Sequence, residues 1–130
     1  MFGDQTIDVL AYRLETVIAE KLHAALTRDV ENTRMRDYYD FYVLEHNGGI
    51  DPDLLRIAIN HIFSDRGTSR FLENWTEAME NIRRDEDMNK LWTDYQSKLD
   101  HGYARGISFD DACDSAVRLL ETSTSGSEKP

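Results

Sequence analysis

Apolar residues recur at spacings of three and four along most of the chain. From Leu14 to Arg28 they fall at Leu14, Val17, Ile18, Leu22, Ala25 and Leu26, the period of a helix with one buried face. A polar break, "DVENT", offers Asn32 and Thr33 as N-caps for a second helix through "RMRDYYDFYVLEHN", which Gly48 and Gly49 stop. The third starts at Asp51 as cap, with Pro52 in its first turn and Leu54, Leu55, Ala58, Ile59, Ile62 and Phe63 as its stripe. After "SDRGTS", Phe71, Leu72, Trp75, Met79 and Ile82 predict a fourth helix. Met88, Leu91, Trp92, Tyr95 and Leu99 predict a fifth, ended by the glycines at 102 and 106. Ser108 caps a sixth, "SFDDACDSAVRLLE", in which Asp110 and Asp111 favour the positive end of the helix dipole. Ile7 to Tyr12 breaks the pattern. Short, apolar and β-prone, it reads as a strand or extended arm. The expected fold is mainly α: a bundle of about six helices with a short N-terminal strand, one domain over residues 1–121, and a disordered low-complexity tail from 122 to 130.

Composition narrows the classes. At 130 residues the chain holds one domain's worth of core, burying roughly two-thirds of its unfolded surface. Twenty-five acidic against fifteen basic side chains give a net charge of -10, which excludes a protein that coats nucleic acid or anionic membrane through its overall field. Local basic clusters remain effective, because charges are screened over only about 8 Å at physiological salt. The single cysteine, Cys113, forms no intrachain disulfide and suits a reducing compartment. The opening "MFGDQTIDVL" has neither a basic n-region nor a long apolar run, so a cytoplasmic protein is expected.

Two charge clusters flank the polar break. In the first helix Lys21 shares a face with Val17, Ala24, Ala25 and Arg28. Seven residues put Lys21 and Arg28 roughly 10 Å apart, the reach of a triphosphate, with small alanines between them. In the second helix Arg34, Asp37 and Asp40 fall at i, i+3 and i+6 and run down one face. Carboxylates three apart raise each other's pKa unless cations intervene, and Lys21, Arg34 and Arg36 are the cations at hand. Taken singly, each cluster also reads as a solvated ion-pair set of little energetic weight.

Other chemistries fall away. The Asp-x-Asp triplets are Asp51 with Asp53, which reads as a helix start around Pro52, and Asp85 with Asp87, inside the charge run "RRDEDMNK". Residues from Asp85 onward imitate a calcium loop, but Lys90 stands where Gly is needed and Gln96 where Glu is needed. His23, His46, His61 and His101 lack metal-ligand spacing, and no metal site is predicted. Trp75, Trp92 and Tyr95 have helical spacing and read as core rather than as base-stacking residues.

"AEKLHA", the arginine that follows it, and "RMRDYYD" together resemble the third and fourth motifs of the AbiEii/AbiGii family of nucleotidyltransferase toxins, relatives of the polymerase β-type nucleotidyltransferases. The likeness includes the lead-in "LAYRLETVIAEKLHA" and the continuation "YYDFYVL", and covers roughly residues 9 to 46. The resemblance implies that the two motifs lie on adjacent helices beside a nucleotide pocket. It implies that Lys21 contacts the triphosphate and Asp37 is a required carboxylate, with Arg28, Arg34, Asp40 and the motif's Glu20 supporting them. The implied reaction moves a nucleotide from a nucleoside triphosphate (NTP) to an acceptor, tRNA ends for some members, and the implied partner is a protein antitoxin. Mg²⁺ ions serve such transfer. The family holds them with a Gly-Ser turn and an Asp-x-Asp pair on a strand upstream of these motifs. The chain is therefore expected to correspond to the C-terminal half of such an enzyme and to be inactive alone. The alternative expectation is a non-catalytic helical interaction module that binds a protein partner or buries an exposed seam by self-association.

Overall fold

The computed structural model describes residues 14–28, 35–98 and 104–125, and the side chains of Arg28 and of residues 123–125 are outside that description. The expected strand at Ile7–Tyr12, the caps Asn32 and Thr33, and Gly102 lie outside the described residues. Among them are seven helices and no strand: α1 Leu14–Arg28, α2 Met35–Asn47, α3 Pro52–Asp65, α4 Ser69–Glu73, α5 Trp75–Arg84, α6 Glu86–Ser97 and α7 Phe109–Ser125. None is long and apolar enough to cross a membrane.

Local chemistry sets most of the helix ends. Gly48 and Gly49 follow α2 at φ 75° and 79°, a backbone region that costs a side-chain-bearing residue energy and glycine almost none. Asp51 caps α3 by accepting from the backbone N–H groups of Asp53 and Leu54 at 3.0 and 3.3 Å. Glu15 of α1 accepts from the Asp51 N–H at 2.7 Å, so a buried carboxylate ties α1 to the start of α3. Asp85 caps α6 through the Met88 N–H at 2.9 Å. At α7, Ser108 and Asp111 exchange side-chain-to-backbone bonds of 2.9 and 3.2 Å, a reciprocal capping box with aspartate in the acidic place.

Two expectations need correction. The predicted fourth helix is two helices, broken at Asn74, whose backbone and side-chain N–H groups both donate to the Arg70 carbonyl, at 3.3 and 3.0 Å. Asparagine side chains compete for backbone groups in this way, which ends α4 after five residues. The last helix also runs on to Ser125, four residues into the stretch read as tail. The Thr122 hydroxyl donates to the Arg118 carbonyl at 3.0 Å, so the polar residue bonds within its own helix.

One core joins the helices. α7 packs along α2 and also touches α3 and α5, while α1 lies against α3. Ile18, Leu22, Leu26, Tyr38, Phe41, Leu55, Ile59 and Phe63 are fully buried where these helices meet. Phe109 at the head of α7 sits between Tyr38, 5.3 Å away, and Trp92, 5.8 Å away. Trp92 is core: its indole N–H donates to the Ile107 carbonyl at 2.9 Å and its ring stacks on Tyr95. Cys113 is fully buried. Burial pushes its thiol up to about 12, so it has no thiolate with which to act as a nucleophile.

Candidate functional site

Burying Ile18, Leu22 and Ala25 turns Lys21 to the edge of the α1 contact, where it faces the first turn of α2. Its ammonium donates to Asp37 Oδ1 at 2.9 Å and lies 3.2 Å from Asp40 Oδ2. The i, i+3 spacing on α2 brings the two carboxylates to one cation. Exposure is unequal: Asp37 keeps 2% of its side-chain surface in water, Lys21 21% and Asp40 26%. Asp37 also occupies the first turn of α2, where the helix dipole favours an anion. A buried carboxylate is thus compensated by a lysine and by the helix end together.

The electrostatics follow from this packing. Partial burial works to lower the Lys21 pKa, but hydrogen bonds and Coulombic attraction from Asp37, then from Asp40, outweigh it and raise it above the ordinary 10.5. Lys21 therefore stays protonated across the physiological range. An ammonium has three N–H donors, of which Asp37 and Asp40 take two. The third has no partner among the described residues.

This cluster forms one side of a cleft of about 750 Å³ between α2 and α6. Met35 and Arg36 continue that side; Leu91, Asp94, Tyr95 and Lys98 form the other. Leu91 and Tyr95 were read as core of the fifth helix rather than as cleft residues, and Asp94 and Lys98 went unassigned because nothing in their types marks them. The one available signal was their spacing at i, i+3, i+4 and i+7, which makes them one helix face.

Glu20, of the other expected site residues, is turned away from the cluster. One position from Lys21 and so rotated to another face of α1, it pairs with Arg66 at 2.9 Å. Arg28 is the last residue of α1, and Arg34 lies outside the described residues. Val17, read as part of the buried stripe, is 40% exposed because it shares the Lys21 face, four residues back.

His23 stands beside Glu20. Its Nε2 lies 2.9 Å from the Thr68 hydroxyl, which itself donates to the Phe63 carbonyl, and Arg66 reaches its Nδ1 at 3.4 Å. A hydroxyl spent as donor accepts from Nε2–H, which leaves Nδ1 bare for the guanidinium and the ring neutral. Burial, then the Arg66 charge, lowers the His23 pKa below 6.5 against the pull of Glu20.

Mg²⁺ does not fit the described residues: no three His, Cys, Asp or Glu side chains among them converge on a point that could hold a metal ion. Asp51 and Asp85, one from each Asp-x-Asp triplet, are committed as helix caps.

With this geometry in place, comparison with known proteins adds one match. A family model described as "Nucleotidyl transferase AbiEii toxin, Type IV TA system" matches residues 1–115. No curated protein and no solved structure matches the chain.

Proposed function

The chain belongs to the AbiEii family of nucleotidyl transferase toxins of type IV toxin–antitoxin systems, and from that premise we propose that Lys21, Asp37 and Asp40 form the phosphate-binding side of its nucleotide site. The observation that carries the proposal is the convergence of a lysine from α1 with two aspartates from α2 at the edge of a cleft. A buried lysine–aspartate pair is also a structural device. Here the lysine keeps a donor to spare at the cleft, which a purely structural pair does not require.

The three residues divide the work. In nucleotidyl transfer an acceptor hydroxyl oxygen forms a bond to the α-phosphorus and gives up its proton to water, while the bond to the bridging oxygen breaks and pyrophosphate leaves with that electron pair. Negative charge on the phosphate oxygens is neutralised by a positioned cation. Lys21 supplies that cation through its remaining N–H. Asp37, shut off from solvent, acts through Lys21 as a positioning residue. Asp40, partly open to the cleft, limits how far the ammonium can turn.

An NTP is the proposed donor, tRNA an acceptor class, and a protein antitoxin the partner. Completed transfer is expected when a Gly-Ser and Asp-x-Asp half is supplied to hold Mg²⁺, since the two Asp-x-Asp pairs of this sequence begin helices. Titration calorimetry with NTPs tests the binding part: weak heats with the wild type, lost in Lys21→Ala and Asp37→Ala variants whose helical circular dichroism is retained. Identical heats in all three proteins would leave a non-catalytic helical interaction module as the reading, with antitoxin binding or self-association as its role.

A further inference from the structure

The charged cluster accounts for one side of the cleft only. Its volume of about 750 Å³ lies within the roughly 300–1,000 Å³ of small-molecule sites, and a triphosphate held at Lys21 would leave the α6 side empty. That side differs in chemistry. Leu91, Tyr95 and, across from them, Met35 give the cleft an apolar floor, with Met35 and Tyr95 nearly closed to solvent. The floor is backed by the core: Tyr95 stacks on Trp92 with ring centroids 5.5 Å apart, and the Trp92 indole N–H donates to the Ile107 carbonyl. Asp94, exposed on the same α6 face, brings a carboxylate to the cleft, and Lys98 follows just past the end of the helix. A carboxylate accepts hydrogen bonds and repels phosphate, so it suits sugar hydroxyls.

We propose that the α6 wall, through Leu91, Tyr95 and Asp94, seats the nucleoside part of the nucleotide, with the base on the apolar floor and the ribose hydroxyls at Asp94. The proposal rests on the phosphate reading of Lys21 and deepens it. Asp94 is then a specificity residue that orients the ligand: the hydroxyl-bearing end goes to α6 and the phosphates to α1 and α2. Both Leu91→Ser and Asp94→Asn change side chains that are partly or largely exposed, so both variants are expected to fold.

The test is calorimetry on the full chain with ATP, GTP, CTP and UTP, their 2′-deoxy counterparts, and inorganic tripolyphosphate. At least one ribonucleotide should bind about tenfold or more tightly than tripolyphosphate, the difference being the α6 wall. Leu91→Ser should cut that advantage by about five- to tenfold and leave tripolyphosphate affinity within about twofold. Asp94→Asn should erase the preference for ribose over deoxyribose. Equal affinity for NTPs and tripolyphosphate, or variants that weaken both alike, would overturn the α6 assignment and leave the phosphate reading standing. Binding of neither probe would remove the phosphate reading and this proposal with it.

Discussion

Glu20 and Lys21 are neighbours on α1, and each makes an ion pair of 2.9 Å with a distant helix or its end. The resemblance in length conceals a difference in kind. Glu20 and Arg66 keep 46% and 45% of their side chains in water, so solvent competes for both charges. Asp37 has 2%, so solvent does little to compensate its charge and the Lys21 ammonium does more. An exposed pair is worth about 0–1 kcal/mol, whereas removing one partner of a buried pair strands a charge. Bond length alone does not rank the two; the water around them does.

The largest effect expected is from Lys21→Ala, which takes away the ammonium 2.9 Å from the buried Asp37 carboxylate. It should destabilise the fold by about 2–4 kcal/mol, below the full cost of breaking a wholly buried pair because Lys21 is partly exposed. Urea unfolding measures this, and a loss under about 0.5 kcal/mol would place the Lys21 pair in the same class as Glu20. The same pair has an alkaline signature. A lysine whose folded pKa lies above 10.5 contributes stability that is complete below that pH and is lost as pH rises through the folded value. The stability of the wild type should therefore fall more steeply above pH 10.5 than that of Lys21→Ala.

Asp40→Asn separates the two roles within the cluster. Since Asp40 is partly solvated, its loss should cost no more than about 1 kcal/mol while still shifting NTP affinity in calorimetry. The His23 flank should respond to acid by less than about 1 kcal/mol, given its partial solvation. A histidine whose folded pKa is lowered contributes stability that is complete above 6.5 and lost as pH falls through the folded value. Thermal unfolding from pH 7 to 5 should show that decline in the wild type and lack it in His23→Gln. The smallest effect belongs to Glu20→Ala, within about 0.5 kcal/mol and shrinking further in salt.

How legible the molecule was depends on the range of the interactions concerned. The stop at Gly48 and Gly49 and the Asp51 and Ser108 caps could all be read in advance, because each depends on residues a few positions away. The break at Asn74 was missed for a related reason. The apolar period runs straight through it, and only the competition of one amide for the Arg70 carbonyl ends the helix. The resemblance drawn on residues 9 to 46 was narrower than the family match over residues 1–115, which takes in α3 to α6 and the first part of α7. Spacing within α2 aligned Asp37 with Asp40, but spacing cannot say which helix stands opposite.

The sequence by itself determined a helical chain, several of its helix caps and stops, which face of each helix is apolar, and that Lys21, Asp37 and Asp40 lie on the polar margins of two of them. Helical period and capping are local, so they survive without knowledge of the fold. Only the packing of α1, α2 and α6 decided that Lys21 meets both aspartates while Glu20 turns toward Arg66, that Asp37 is sealed from water, and that Leu91, Asp94 and Tyr95 face them across a cleft. Those outcomes depend on the angle and depth at which apolar stripes interlock. A displacement of one helix by a single residue would turn a different set of side chains toward the same space.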